Sequence, residues 1–404
     1  MTYILDRPSA TAEDRELRAD LVSRAAKLRP LLAKNAAENE QSRRICQESI
    51  DAIEEAGLFA ITRPKRFGGF QVDIRTKIEV SRELARAEAS AGWVAAILNG
   101  GSWLAGGFSE QAQQDVWGTD STNRVCAIFA PSAQSKRVDG GYIVTGEWGY
   151  ASGSYHCQWA ELGLPIVNEA GETVDIGLAL VPMTDLSYKE TWFVKGMCAT
   201  GSNTLTGKEI FVPDHRVLSL SQGLTGHFPT PYKDEALYRS AFVPVANIIL
   251  VAAQLGMAQA AVDLAVEKAP SRRMAYTEYA NQAEAPTVQL HLAQATSLLD
   301  TAHLQAYQAA CVIDEASHRG AVLDYLTRAR VRMNAGAALL AAREAARTAV
   351  NAHGASTFGE TNPMQRYLRD IEAASLHAVL DPKISEYVYG RALFGIESGV
   401  TNLV

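Results

Sequence analysis

The side chains best equipped for chemistry lie in the last quarter of the chain, between Asn351 and Leu393. Arg366 and Arg369 stand three apart in NPMQRYLRDIEAASLH, so a helix there puts both guanidinium groups on one face, with Asp370 beside them. His377 follows eleven residues after Arg366, about three turns on at roughly 3.6 residues per turn, and so near that same face. Two fixed cations beside a titratable imidazole can hold an electron-rich group and move a proton to it. Spacing alone also allows a solvated face with one hydrogen-bonded histidine, and both readings stand. A second set is Thr200-Gly201-Ser202-Asn203, whose backbone N–H groups and short hydroxyls suit a phosphate or the edge of a ring. A β-turn has the same composition and is compatible with that role.

Three regions must position these groups. From about Thr11 to Trp117 apolar residues return at three and four in Ala-, Leu- and Glu-rich runs, a helical pattern in which Gly57 stops the second helix. Gly68 and Gly69 mark a turn. From about Asn123 to Leu218 come short β-branched and aromatic runs cut by Gly, Asp and Pro. They predict antiparallel strands in a small barrel or sandwich, with a hairpin turn at Asp139-Gly140-Gly141. From Ala241 onward three long Ala-rich helical patterns, joined by the segment after Pro363, predict a four-helix bundle. The expected domains are 1–121, 122–225 and 226–404, an α+β chain in the order helical, antiparallel β, helical bundle.

Bulk properties narrow the partners. A chain of 404 residues is long for one simple core. Its net charge of −7, without a Lys/Arg run, disfavours nucleic acid and anionic membrane. Five scattered cysteines with no CxxC pair argue against a disulfide framework or a zinc site and fit a reducing compartment. No uninterrupted apolar run approaches the roughly 20 residues of a membrane span, and the N-terminus is not a signal peptide. A cytoplasmic protein is expected.

Four sequence blocks carry a family resemblance. They are GWVAAIL with Trp93, GEWGYASGSYHCQWA, WFVKGMCATGSNTLTGKEIFVPDHRV and NPMQRYLRDIEAASLH, in that order. Together they resemble the oxygenase components of two-component flavin-dependent monooxygenases, similar to hydroxylases of phenols and seco-steroid phenols on the acyl-CoA dehydrogenase fold. The resemblance implies reduced FAD or FMN and O2 as cofactors, with a C4a-(hydro)peroxyflavin as oxidant. It further implies a separate NAD(P)H:flavin reductase, a small aromatic substrate and a homotetramer. A flavin needs aromatic faces and a few placed polar groups along its rim. Trp93, Trp148 and Tyr150 are the expected faces, Ser152 and Ser154 the expected hydroxyls, and Thr200 and Ser202 further contacts. Gln365, Arg366 and Arg272 match cofactor-binding positions, and His377 matches the histidine that would hold or deliver the proton on the oxidant, with Ser152 holding the proton on flavin N5.

Two departures from the family pattern bear on chemistry. Met274 stands where a second arginine is expected after Arg272, which leaves FAD and FMN both open. Gly101 stands where the family has a histidine that contacts the phenol, and with Tyr150 it is the expected substrate position. Three rivals remain: an acyl-CoA dehydrogenase with bound FAD, a catalytically silent homologue serving as a binding or scaffold protein, and an N-hydroxylase of an amine or amino sugar. The dehydrogenase reading lacks its base, because Ala378 occupies the position of the usual Glu-Gly.

Overall fold

The computed structural model describes residues 6–224, 226–397, 399–401 and 403–404. The first region forms helices α1 (Ala12–Lys27), α2 (Arg29–Ser42), α3 (Gln47–Glu55), α4 (Ile74–Ala87), α5 (Ala89–Ala105) and α6 (Glu110–Trp117). The opening helical run therefore divides into three helices, with Gly57 closing the third. Thr11 and Asp14 make a reciprocal capping box at the start of α1, Pro30 opens α2, and Arg43 ends α2 in the left-handed conformation.

The middle region contains strands β1 (Val125–Ile128), β2 (Ala133–Val138), β3 (Gly141–Trp148), β4 (Trp159–Val167), β5 (Thr173–Pro182), β6 (Ser187–Lys189), β7 (Thr204–Pro213) and β8 (Val217–Ser219). They form two four-stranded sheets, ordered β1-β4-β5-β8 and β2-β3-β7-β6. The expected sandwich is present, with the predicted hairpin between β2 and β3 turning at Gly140, φ 72°. One expectation is corrected: β1 pairs with β4 in parallel, because β1 enters directly from the helical region and not from a hairpin.

After the short α7 (Leu220–Leu224), the last region forms α8 (Phe242–Ile248), α9 (Val251–Lys268), α10 (Pro286–Arg319), α11 (Tyr325–His353), α12 (Pro363–Ala374) and α13 (Pro382–Ala392). The fourth bundle member is thus two short helices. Asp381 caps α13 and Pro382 occupies its first turn, so no continuous helix passes through 375–381. The segment Phe242–Ser271 is long and apolar enough to cross a membrane, contrary to the sequence reading, yet 94% of its most apolar window is buried inside the fold. It is the helix around which the bundle and α4 pack.

Close approach between layers rests on glycines. A Cβ on Gly92 would stand 2.3 Å from the Ala85 Cβ, and one on Gly256 would stand 2.3 Å from the Arg82 carbonyl oxygen. Gly101 behaves in the same way: a Cβ there would meet the Val125 carbonyl oxygen at 2.2 Å, so α5 lies directly against β1. Packing accounts for this glycine, and the added methyl can be accommodated only by moving backbone. Gly101→Ala is expected to lower stability by about 1–3 kcal/mol, read as a drop in thermal unfolding temperature with or without ligand. An unchanged unfolding temperature would mean that α5 is not seated on β1.

Candidate active site

The site is built where the three regions meet. Trp93 comes from α5, a helix whose N-cap is the buried Glu88. Its indole Nε1 donates to the Ser152 hydroxyl at 3.3 Å. Ser152 Oγ lies 2.6 Å from Ser202 Oγ, and Ser202 Oγ lies 2.7 Å from Thr200 Oγ1. Thr200 in turn donates to the Met197 carbonyl at 2.8 Å.

This last bond fixes the direction of all the others. A hydroxyl has one proton. Thr200 spends its proton on Met197, so Ser202 must donate to Thr200, and Ser152 must donate to Ser202. Ser152 already receives the indole N–H and gives away its own proton. What it has left is a lone pair. Toward any further partner, half-buried Ser152 is a hydrogen-bond acceptor.

His377 stands over the other side of Trp93, with ring centroids 5.8 Å apart and tilted by 54°. It lies beyond the end of α12, where its Nδ1 caps a short turn by accepting from the Val379 amide at 3.4 Å. The expectation that it shares a helical face with Arg366 is therefore corrected: α12 stops at Ala374, and a bend carries the imidazole to Trp93. Burial lowers its pKa, so the ring is neutral at neutral pH. With Nδ1 accepting, the ring proton is on Nε2, which leaves that nitrogen as a donor.

The charged groups are arranged differently from the sequence reading. Arg369 donates to Gln365 Oε1 at 2.7 Å, pairs with Glu40 at 2.6 Å and bonds the Lys195 carbonyl. Gln365 spends its amide N–H on Glu360 O, so both residues fasten α12 to its surroundings. Arg366 faces two buried carboxylates, Glu88 and Asp370, and its charge lowers both pKa values. Burial nevertheless dominates. It pushes Glu88 up to about 7, helped by the charge of Asp370, and pushes Asp370 up to about 6. Asp370 accepts from the Met197 amide at 2.6 Å and so joins the bundle to the hydroxyl chain.

Other expected contacts fall elsewhere. Trp148 is fully buried in the sandwich core and spends its indole N–H on the Gly163 carbonyl at 2.8 Å, so it has no face for a ring. Ser154 is also fully buried, with its hydroxyl unpartnered and closed off from the cleft. Tyr150 is 78% exposed and rests edge-on against Trp192. Arg272 is anchored to the His353 carbonyl at 2.6 Å and to Ser356, on the turn after α11. Glu88 was not singled out from the sequence; the one available signal was its position immediately before an uncharged apolar helix, where an N-cap belongs.

An acceptor, a neutral imidazole donor and an indole lie together where the β-module meets the helical regions. That combination fits the rim of a reduced flavin, which carries a proton on N5, and defines a flavoprotein of acyl-CoA dehydrogenase architecture. Residues 11–121 match the family described as acyl-CoA dehydrogenase, N-terminal domain, and residues 248–382 match acyl-CoA dehydrogenase, C-terminal domain. The oxygenase subunit HsaA of a flavin-dependent monooxygenase from Rhodococcus jostii (strain RHA1) is 33% identical over 91% of this chain and 97% of its own length. The oxygenase component of an FADH(2)-dependent resorcinol hydroxylase from Rhizobium sp. (strain MTP-10005) is 30% identical over 93% and 94%. XiaF from Streptomyces sp., solved with FADH2 and glycerol, superposes with a TM-score of 0.90 at 34% identity, covering 96% of this chain and 98% of that one. The chain belongs to the oxygenase components of flavin-dependent monooxygenases.

The buried carboxylates make stability depend on pH in a definite direction. An acid whose folded pKa lies above its unfolded value stabilises the fold fully below the unfolded pKa and progressively less as pH rises through the folded one. For Glu88 that window runs from 4.5, its ordinary value, to about 7. Glu88→Gln keeps an acceptor for the Ala91 amide and removes the ionisation. It is expected to shrink the loss of thermal stability between pH 5 and pH 8, by up to about 3 kcal/mol. Equal pH profiles for the two proteins would show that Glu88 does not titrate in this range.

Proposed function

We propose that the protein takes reduced FAD or FMN from a separate NAD(P)H:flavin reductase and uses O2 to hydroxylate a small aromatic substrate. When bound, the flavin supplies the activated oxygen atom. The chain's own residues do the rest. Ser152 accepts the N5 proton and keeps it in place, because its own proton is committed to Ser202. An oxidised flavin offers a lone pair at N5, which an acceptor serves poorly, so this hydroxyl favours the reduced ring. His377, a neutral donor held against Trp93, supplies a proton beside the reacting oxygen and recovers it from the product. Trp93 packs one face, and the surrounding apolar walls exclude water.

The observation that carries this reading is the one-way hydroxyl chain ending in an acceptor at Ser152. Oxygen transfer to an amine nitrogen is the competing outcome, and product analysis separates it from ring hydroxylation. The domain limits 1–121, 122–225 and 226–404, a cytoplasmic location and a homotetramer complete the reading. Support for self-association comes from Leu376, Tyr387, Leu393 and Phe394, all exposed on the last bundle segment.

The test uses anaerobically reduced FAD or FMN, resorcinol as a first substrate and labelled O2. His377→Ala and Ser152→Ala are each expected to lower the hydroxylated product per O2 consumed by about tenfold or more, with H2O2 released in its place. A variant pair that couples oxygen to product as well as the parent protein would remove both residues from the mechanism. Absence of label in any product of the parent protein, with a panel of phenols, would remove the hydroxylase reading itself.

A further inference from the structure

An acceptor at Ser152 is effective only while the loop that carries it keeps its place. One side chain outside the hydroxyl chain bears on that loop. Asn203, just before β7, is 6% exposed. Its Oδ1 accepts from two successive backbone amides, Thr191 at 2.8 Å and Trp192 at 3.0 Å. Two N–H groups converge on that end of the side chain, so it is the oxygen, and the other end is the donor. Nδ2 donates to the Tyr155 hydroxyl at 3.0 Å. One amide therefore ties the segment after β6 to the segment that carries Ser152.

What Asn203 holds leans on Ser152 from both sides. Trp192 donates its indole N–H to the Met197 carbonyl at 3.1 Å, the same oxygen that receives Thr200. Both lone pairs of that carbonyl are then occupied, so the far end of the hydroxyl chain has one arrangement. Trp192 also meets Tyr150 edge-on, with ring centroids 5.8 Å apart. Tyr150 stands two residues before Ser152 in the left-handed conformation, φ 61°, which a bulky side chain keeps only when its surroundings hold it there. On the other side Tyr155 stacks on Tyr188 at 4.7 Å, and the Tyr188 hydroxyl donates to the Ser154 carbonyl at 2.8 Å. Between these braces the backbone is pinned twice to the loop before β7. The Ala151 amide donates to the Asn203 carbonyl at 3.0 Å, and the Gly153 amide to the Thr200 carbonyl at 2.9 Å. Removing the Asn203 side chain leaves those two bonds in place and frees the braces.

We propose that Asn203 is a positioning residue for the oxygenation: its amide fixes Trp192 and Tyr155, and through them keeps the Ser152 lone pair aimed at the N5 proton of reduced flavin. This rests on the monooxygenase reading and deepens it. The demand on the side chain is specific, since it must accept two N–H bonds and give one. Alanine meets none of this. Aspartate keeps both amide bonds, and the Tyr155 hydroxyl can turn to donate to it.

The experiment measures the affinity of the full-length protein for oxidised FAD and, without oxygen, for reduced FAD, each by quenching of tryptophan fluorescence. With Ser152 as acceptor, the parent protein is expected to bind the reduced form more tightly. Asn203→Ala is expected to lower the ratio of the two affinities by about threefold or more, as Ser152→Ala does, and the double variant to lower it no further than Ser152→Ala alone. Asn203→Asp is expected to retain roughly half of the parent ratio or more. A side chain that served stability alone would weaken both affinities together. An unchanged ratio in Asn203→Ala, or additive losses in the double variant, overturns the assignment. Trp192→Phe, which removes only the indole N–H, is expected to lower the ratio in the same direction; where Asn203→Ala does not fold, an unchanged ratio in Trp192→Phe overturns the assignment. A parent protein that binds both forms of FAD alike would remove the role of Ser152, and that of Asn203 with it. Oxygen incorporation into resorcinol is scored separately, so that its failure counts against the monooxygenase reading.

Discussion

The structure depends on one hydrogen-bond sequence that crosses all three layers. It starts at the Trp93 indole in the helical region, passes through Ser152, Ser202 and Thr200 of the sandwich loops, and ends on the Met197 carbonyl. The amide of that same Met197 donates to Asp370 in the bundle. Each member has its proton assigned by the next, so no hydroxyl can rotate without breaking a bond. Held in this way, Ser152 presents a fixed lone pair, and no reorganisation is required when a ligand proton arrives. Gly201, at φ 58°, allows the loop to bring Thr200 and Ser202 to the same side.

A second constraint is electrostatic. Two carboxylates, Glu88 and Asp370, lie in the interior beside the site, and Arg366 is the cation set against them. Its charge lowers the pKa of both, yet among the described residues its guanidinium makes no hydrogen bond and no ion pair, so nothing ties it in place. Arg369, three residues on, is the one that is tied down, to Glu40 and to the Lys195 carbonyl. The bundle is thus fastened by charge to α2 through Arg369 and Glu40, and to the loop before β7 through the Lys195 carbonyl and the Met197 amide.

How much of this was legible in the sequence follows from the kind of signal each residue carries. The order of helical, β and helical regions was legible because periodicity changes from 3.6 to 2 and back. Ser152, Ser202, Thr200 and Trp93 were legible as candidates because they lie in recognisable blocks, although their shared hydroxyl chain was not, since it joins positions up to 107 residues apart. Trp148 and Trp93 look alike in sequence. Only strand alternation could have separated them, and the regular inward side of β3 holds Trp148 in the core. His377 was found in type but misplaced, because the helix ending at Ala374 has no proline or glycine to announce it.

Helices of this chain approach until backbone meets side chain at Gly92 and Gly256, and helix meets strand at Gly101. Such contacts seat α5 against α4 and β1, and α9 against α4. The half-exposed Ile97 marks the break in this packing, and it falls one turn from Trp93 and one turn from Gly100. A glycine at 100 serves a different end from the others, because its missing side chain is replaced by the end of Lys77 and not by backbone. The same economy of small residues that seals the core therefore also brings α5 close enough to the sandwich for the Trp93 indole to reach the Ser152 hydroxyl.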